Sequence, residues 1–186
     1  DPTGRNMILN FYGPPGTGKT LAAEALAGTL GLPYLRLGIA ELESKFVGET
    51  AKNISAAFNA AATEGALLFF DEADTLLGAR LSSVTQGIDN EINAMRSTLL
   101  IELERFEGVA VFATNFAKNY DSAFVSRIRY HIAFKLPDLE GRKQLWAKML
   151  VPGAPLAEDR ETLIERCAPA NLAPGWVRFD YARAFG

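Results

Sequence analysis

Residues 7–30, MILNFYGPPGTGKTLAAEALAGTL, constrain the chain most. A short apolar run ends in GPPGTGKT, and an Ala-rich helical pattern follows at once. This is the pattern G-x-x-x-x-G-K-[ST] in a strand–loop–helix setting, and it commits the chain to an α/β sheet with a phosphate-cradling loop at a strand end. Gly16 and Gly18 let the backbone turn its N–H groups inward as an anion nest, and the helix adds its positive end. A chance Gly-Pro turn would meet only part of this pattern. Pro14, Pro15, Gly16, Thr17, Gly18, Lys19, Thr20 and Leu21 are therefore the expected nucleotide-binding residues. Lys19 has the reach for β- and γ-phosphates, and the Thr20 hydroxyl is suited to Mg²⁺.

The rest of the chain supplies such a sheet. Apolar runs at Met7 to Tyr12, Pro33 to Leu37, Ala66 to Phe70, Val109 to Thr114 and His131 to Phe134 read as five strands. All five are mostly apolar on both faces, as parallel strands buried under helices should be. Leu21 to Leu30 and Ala51 to Thr63 are helix-prone between them. Ile88, Ile92, Met95, Leu99, Leu103 and Phe106 mark the stripe of a third helix, and polar Ser82 to Gly87 reads as a loop before it. Asp138 is an expected N-cap, and everything after it lacks strand signals. That places a small helical domain at 138–186, behind an α/β domain at 1–137.

Composition excludes several classes. One cysteine, Cys167, and one histidine, His131, rule out a disulfide framework and a Cys- or His-based metal centre. A net charge of -3 argues against a surface built to neutralise nucleic-acid backbone. No run is long enough to span a membrane and no signal peptide opens the chain, so a cytoplasmic location is expected. Both ends read as cuts, which makes the chain a fragment of something longer.

The second informative stretch is LLFFDEADTLL, 67–77. Its strand ends in two acids where open α/β sheets hold ligands. Asp71 is the expected Mg²⁺ residue, acting through the ion's water shell, and Glu72 the expected base that polarises an attacking water. Asp74 reads as a cap for the next helix. The letters DEAD also name a helicase family, but such an enzyme needs a second domain of similar size, for which 186 residues leave no room. Its threonine-containing motif is missing too; the nearest candidate, FATN at 112–115, ends differently.

Together GPPGTGKT, LLFFDEAD and VAVFATN resemble the AAA family of ATPases, within the AAA+ superfamily, over most of the chain. The resemblance makes these stretches Walker A, Walker B and a sensor strand ending at Asn115, which would contact the γ-phosphate and orient the water. It makes 1–137 the large nucleotide-binding subdomain and 138–186 an incomplete helical lid. DSAFVSRIRYHIAFKLPD, 121–138, is similar to the region whose arginines act in trans on a neighbour's ATP. Alignment on LPD puts Arg127 at the first finger position and Tyr130 at the second, with Arg129 one place early; Phe116 stands where the family carries Arg. LAPGWVR, 172–178, resembles the lid's Gly-Gly element, implying a nucleotide contact at Gly175 and a lid sensor at Arg178.

KFVGE, 45–49, resembles the central-pore loop of AAA unfoldases. An aromatic such as Phe46 offers a threaded polypeptide large apolar area with few rotamers to freeze. Alternatively, Phe46 staples the following helix. The expectation is a homo-oligomeric ring, hexameric as in the family, that binds ATP and Mg²⁺ and remodels polypeptides. A nucleic-acid loader, a slow nucleotide switch, and a relative of rubisco activase (on ELES and GETAK) stand as alternatives.

Overall fold

The computed structural model describes residues 6–38, 49–78, 86–115, 120–150, 153, 156 and 158–170, with the backbone alone for 86–91. In chain order the elements are β1 (Met7–Tyr12), α1 (Lys19–Leu30), β2 (Tyr34–Gly38), α2 (Glu49–Glu64), β3 (Leu67–Asp71) and α3 (Asp74–Leu77). There follow α4 (Gln86–Arg105), β4 (Val109–Thr114), α5 (Ser122–Val125), β5 (Tyr130–Ala133), α6 (Leu139–Met149) and α7 (Arg160–Cys167). Two compact units result: Asp1–Gly13 with Lys19–Ala133, and Pro14–Gly18 with Phe134–Gly186.

The first unit is built on a five-stranded sheet of order β2-β3-β4-β1-β5, every pairing parallel. The expected α/β class is what forms. The order matters for chemistry: β4 lies between β1, which runs into the phosphate loop, and β3, which ends in the two acids. Tyr12 therefore stands beside Thr114 and Phe70 beside Phe112, so the three candidate segments leave the sheet at one edge.

Both faces of the central strands are buried. Ile8, Leu68, Phe70, Ala110 and Phe112 join one core with Ile54 and Phe58 of α2 and Met95, Leu99 and Leu103 of α4. Their neighbours in sequence, Leu9, Phe11, Leu67, Phe69 and Val111, are equally buried and point to the other face, because strand side chains alternate. Phe70 stacks on Phe112 at 4.9 Å and Phe58 meets Phe106 edge-on at 5.2 Å. Each such ring contributes about 1.5–3 kcal/mol by burial, and each pair about 0.5–1.5 kcal/mol more.

Two expectations need correction. β5 was expected to be buried on both faces, yet all four of its residues are exposed. It is an edge strand, paired only with β1, so its apolar residues have one neighbour instead of two. The polar stretch Ser82 to Gly87 was expected to be loop throughout, but α4 begins at Gln86, and 82–85 lie outside the described residues. A Gly near the start of a helix of twenty residues costs little.

In the second unit, Asp138 caps α6 by accepting from Gly141 N at 2.8 Å, and Asp159 caps α7 by accepting from Thr162 N at 3.0 Å. Trp146, Leu150, Leu163 and Ala168 form a small core. Arg142 ties the pair by donating to Ala168 O (2.6 Å) and Pro137 O (2.8 Å).

Candidate nucleotide site

In the loop after β1, Gly16 and Gly18 have φ of 75° and 97°, the left-handed backbone that an anion nest uses. A Cβ on Gly18 would meet nothing within 4 Å, so conformation and not space demands glycine there. Thr17 Oγ1 donates to Pro14 O at 2.8 Å and closes the loop on itself, while Pro14, Pro15 and Gly16 are exposed.

Lys19 opens α1 and is only 9% exposed. Its Nζ donates to Gly13 O at 2.7 Å and to Asn115 Oδ1 at 3.3 Å. Burial pulls its pKa below the ordinary lysine value, and the charges of Asp74 and then Asp71 oppose that shift. A nearly dry ammonium beside the end of β1 is suited to an anion more than to water. Thr20 is half-buried one residue on, and Leu21 is 68% exposed.

Asp71 is the last residue of β3. Its Oδ2 takes the guanidinium of Arg36, on neighbouring β2, at 2.5 Å, and its Oδ1 accepts from Glu72 N at 3.0 Å. Glu72 is exposed and left-handed, with φ of 54°. That conformation costs a non-glycine residue about 1–2 kcal/mol and is concentrated at functional sites. It breaks the strand sharply, and the chain rejoins the sheet at once through Ala73 N to Ala113 O at 2.9 Å. Thr20 and Asp71 are hard oxygen donors, the set that Mg²⁺ takes when phosphates and water supply its remaining ligands.

Asp74 is not a helix cap. It is the first helical residue of α3, Ala73 is the N-cap, and no side chain caps that end. Its carboxylate instead accepts the Asn115 backbone N–H, at 3.0 and 3.2 Å. Arg127 lies between α5 and β5, half-buried; its Nη1 donates to Ala123 O at 2.8 Å and its Nη2 pairs with Glu104 of α4. Arg129 is exposed, and its backbone N–H bonds Ile8 O at 2.8 Å. Phe46, Phe116, Gly175 and Arg178 lie outside the described residues.

Lys19, Asn115, Asp74 and Asp71 thus gather at one edge of the sheet. Three other groups escaped the sequence reading. Arg36 is the one charged residue of β2, and that was the available signal. Arg96, 8% exposed, donates to Thr75 O (3.2 Å) and to Gly78 O; its place within the apolar stripe of α4, four residues after Ile92, was the available signal. Asn10, wholly buried in β1, accepts from Thr114 Oγ1 at 3.1 Å and meets His131 Nδ1 at 3.3 Å, and Tyr120 Oη lies 2.7 Å from Thr114 Oγ1. A polar residue in the middle of an apolar strand signals such a network. A cavity of about 790 Å³ opens at the opposite sheet edge, where Ala66 leads into β3 and Val109 starts β4, so it is no part of this constellation.

Residues 9–136 match the model of the ATPase family associated with various cellular activities, AAA. The chain belongs to the AAA family. Membership implies that the chain binds nucleotide. The AAA chain is 37% identical over 173 residues to a 26S proteasome regulatory subunit 7 homolog of Schizosaccharomyces pombe, covering 88% of the chain and 39% of that relative. It is 36% identical over 156 residues to the proteasome-activating nucleotidase of Methanopyrus kandleri, covering 80% and 35%. The chain thus spans less than two-fifths of the length of these relatives. In fold it is similar to the FIGL-1 AAA domain solved in complex with ADP, with a TM-score of 0.73 at 23% identity over 93% of this chain and 58% of that one. Among the described residues no helix of this AAA chain is long and apolar enough to cross a membrane, and no three His, Cys, Asp or Glu side chains gather as a metal cluster.

Proposed function

We propose that this chain is the motor portion of an ATP-hydrolysing protein remodeller that works as a ring, a hexamer of identical subunits, and threads polypeptide past Phe46. The observation that carries the reading is the 3.3 Å contact between Lys19 Nζ, at the start of α1, and Asn115 Oδ1, just past β4, with the acids of β3 next along the sheet. A phosphate-binding cation, a water-orienting amide and a base at one sheet edge are the parts that phosphoryl transfer to water requires.

In this reading the loop Pro14 to Leu21 cradles the phosphates, with the backbone N–H groups from Gly16 onward as donors beside the Lys19 ammonium. Thr20 and Asp71 would hold Mg²⁺, which would supply charge neutralisation for the phosphates. Glu72 takes the proton of the attacking water while Asn115 orients it. Arg127, released from Glu104, offsets charge on the transferred group of the neighbouring subunit, and the family resemblance assigns a nucleotide contact to Gly175 and a lid-sensor role to Arg178. The named relatives are proteasomal ATPases, which supports a polypeptide substrate and a cytoplasmic location over nucleic acid.

The full-length protein assembled as a ring tests this. Phosphate release is measured alone, with an unfolded protein and with single-stranded DNA, for the parent and Phe46→Ala. Stimulation by unfolded protein that Phe46→Ala abolishes is the expected result. Stimulation by DNA alone would make this a loader and Phe46 a helix staple.

A further inference from the structure

The geometry points to Asp74 as the positioning residue for Asn115: its carboxylate grips the Asn115 backbone N–H and thereby sets where the Asn115 side chain aims. The inference deepens the proposed function and rests on that reading for its kinetic consequence, though not for its geometry.

Asn115 sits where the sheet stops helping. The β3–β4 ladder ends at Phe70 and Phe112, and the last sheet-edge bonds go from Ala73 N to Ala113 O and from Gly13 N to Thr114 O. Past Thr114, the N–H that fixes the next peptide plane is taken by Asp74, with Oδ1 at 3.0 Å and Oδ2 at 3.2 Å. A backbone N–H on an ionised carboxylate is among the stronger protein hydrogen bonds. With that plane fixed, the Asn115 side chain has only its own torsions to settle, and its Oδ1 comes to rest 3.3 Å from Lys19 Nζ.

The grip is useful only if Asp74 is itself held in place, and α3 is packed and tied on several sides. Leu76 and Leu77 of α3 are 0% exposed. The buried guanidinium of Arg96 takes Thr75 O and Gly78 O at the far end of that turn, and Asp121 N donates to Leu77 O at 2.9 Å. A one-turn helix held at both ends is a rigid mount three residues beyond Asp71. The chain therefore couples its acid strand to its amide by one side chain, so that the Asn115 peptide plane cannot turn without disturbing α3. A capping role, the alternative, fails because the N-cap is Ala73 and Asp74 already lies inside the helix.

The test combines amide hydrogen exchange by NMR with steady-state kinetics, on full-length parent, Asp74→Ala, Asp74→Asn, Asn115→Ala and Asp74→Ala with Asn115→Ala. In Asp74→Ala the Asn115 amide should exchange roughly tenfold faster or more, with Ala110–Thr114 unchanged. The kcat should fall about tenfold to a hundredfold at unchanged nucleotide Kd, as misplaced groups cost. Asp74→Asn, which keeps an acceptor, should lose less. On the Asn115→Ala background, Asp74→Ala should cost nothing further, a result that loss of fold alone would not give. Equal protection of the Asn115 amide in parent and Asp74→Ala, or the full kinetic loss in both backgrounds, overturns the assignment. A parent that hydrolyses no ATP while Asp74→Ala frees the Asn115 amide sinks the proposed function and leaves the positioning role standing.

Discussion

Removing the guanidinium that occupies Asp71 should tighten the hold on Mg²⁺. Arg36 Nη2 lies 2.5 Å from Asp71 Oδ2, with side chains 55% and 21% exposed. A pair so open to solvent is worth about 0.2–1 kcal/mol, because water screens it and two side chains must be held still. If the ion must displace Arg36, that amount is the whole penalty, and at 1.4 kcal/mol per decade it equals at most about fivefold in affinity. In Arg36→Ala the half-saturating Mg²⁺ for binding of a fluorescent ATP analogue should therefore fall by up to about fivefold, with under about 1 kcal/mol lost in stability. The difference should shrink at high ionic strength as the pair is screened in the parent. An unchanged or higher half-saturation at low salt would refute the reasoning, since it would mean that Arg36 helps the ion or never competed with it.

Tyr34 and Gly18 test the fold and the loop. The Tyr34 hydroxyl is buried without a partner, and burial, then the charge of Glu24, pushes the phenol from 10.0 up to about 12. Between those values the unfolded chain releases a proton that the folded one keeps, so stability should fall as pH rises through that window and be unaffected below it. Tyr34→Phe should remove this slope and raise Tm by relieving about 1 kcal/mol of desolvation cost, read by thermal melts at neutral and alkaline pH; a lower Tm would show that the hydroxyl is satisfied. Gly18→Ala should lose about 1–2 kcal/mol of loop conformation, roughly fivefold to thirtyfold in ADP affinity by calorimetry. An affinity within about twofold of the parent would mean that the φ of 97° is not what binds.

The sheet was legible because its rules are local. β1 and β4 were read to the residue and β2, β3 and β5 to within one, since apolar runs bounded by Gly, Pro and acids leave little freedom. The exposure of β5 was not legible, because whether a strand is an edge depends on strand order, which no local pattern carries. The same limit hid the pairings of the site. Arg36 and Asp71 meet across β2 and β3, thirty-five residues apart, and Asp74 and Asn115 across forty-one. Local pattern suggested a cap for Asp74, since an Asp before a helix usually is one. The competing N–H of Asn115 is brought there only by the parallel packing of β3 on β4.

The measurement that bears most directly on the central claim is single-turnover hydrolysis by the full-length ring, parent against Glu72→Gln, with ATP affinity measured on both. The account predicts ATP affinity within about threefold and phosphate release slower by about 10² to 10⁴, the contribution of a positioned base. Equal release rates in the two proteins would contradict it, because the water would then be activated by something other than Glu72.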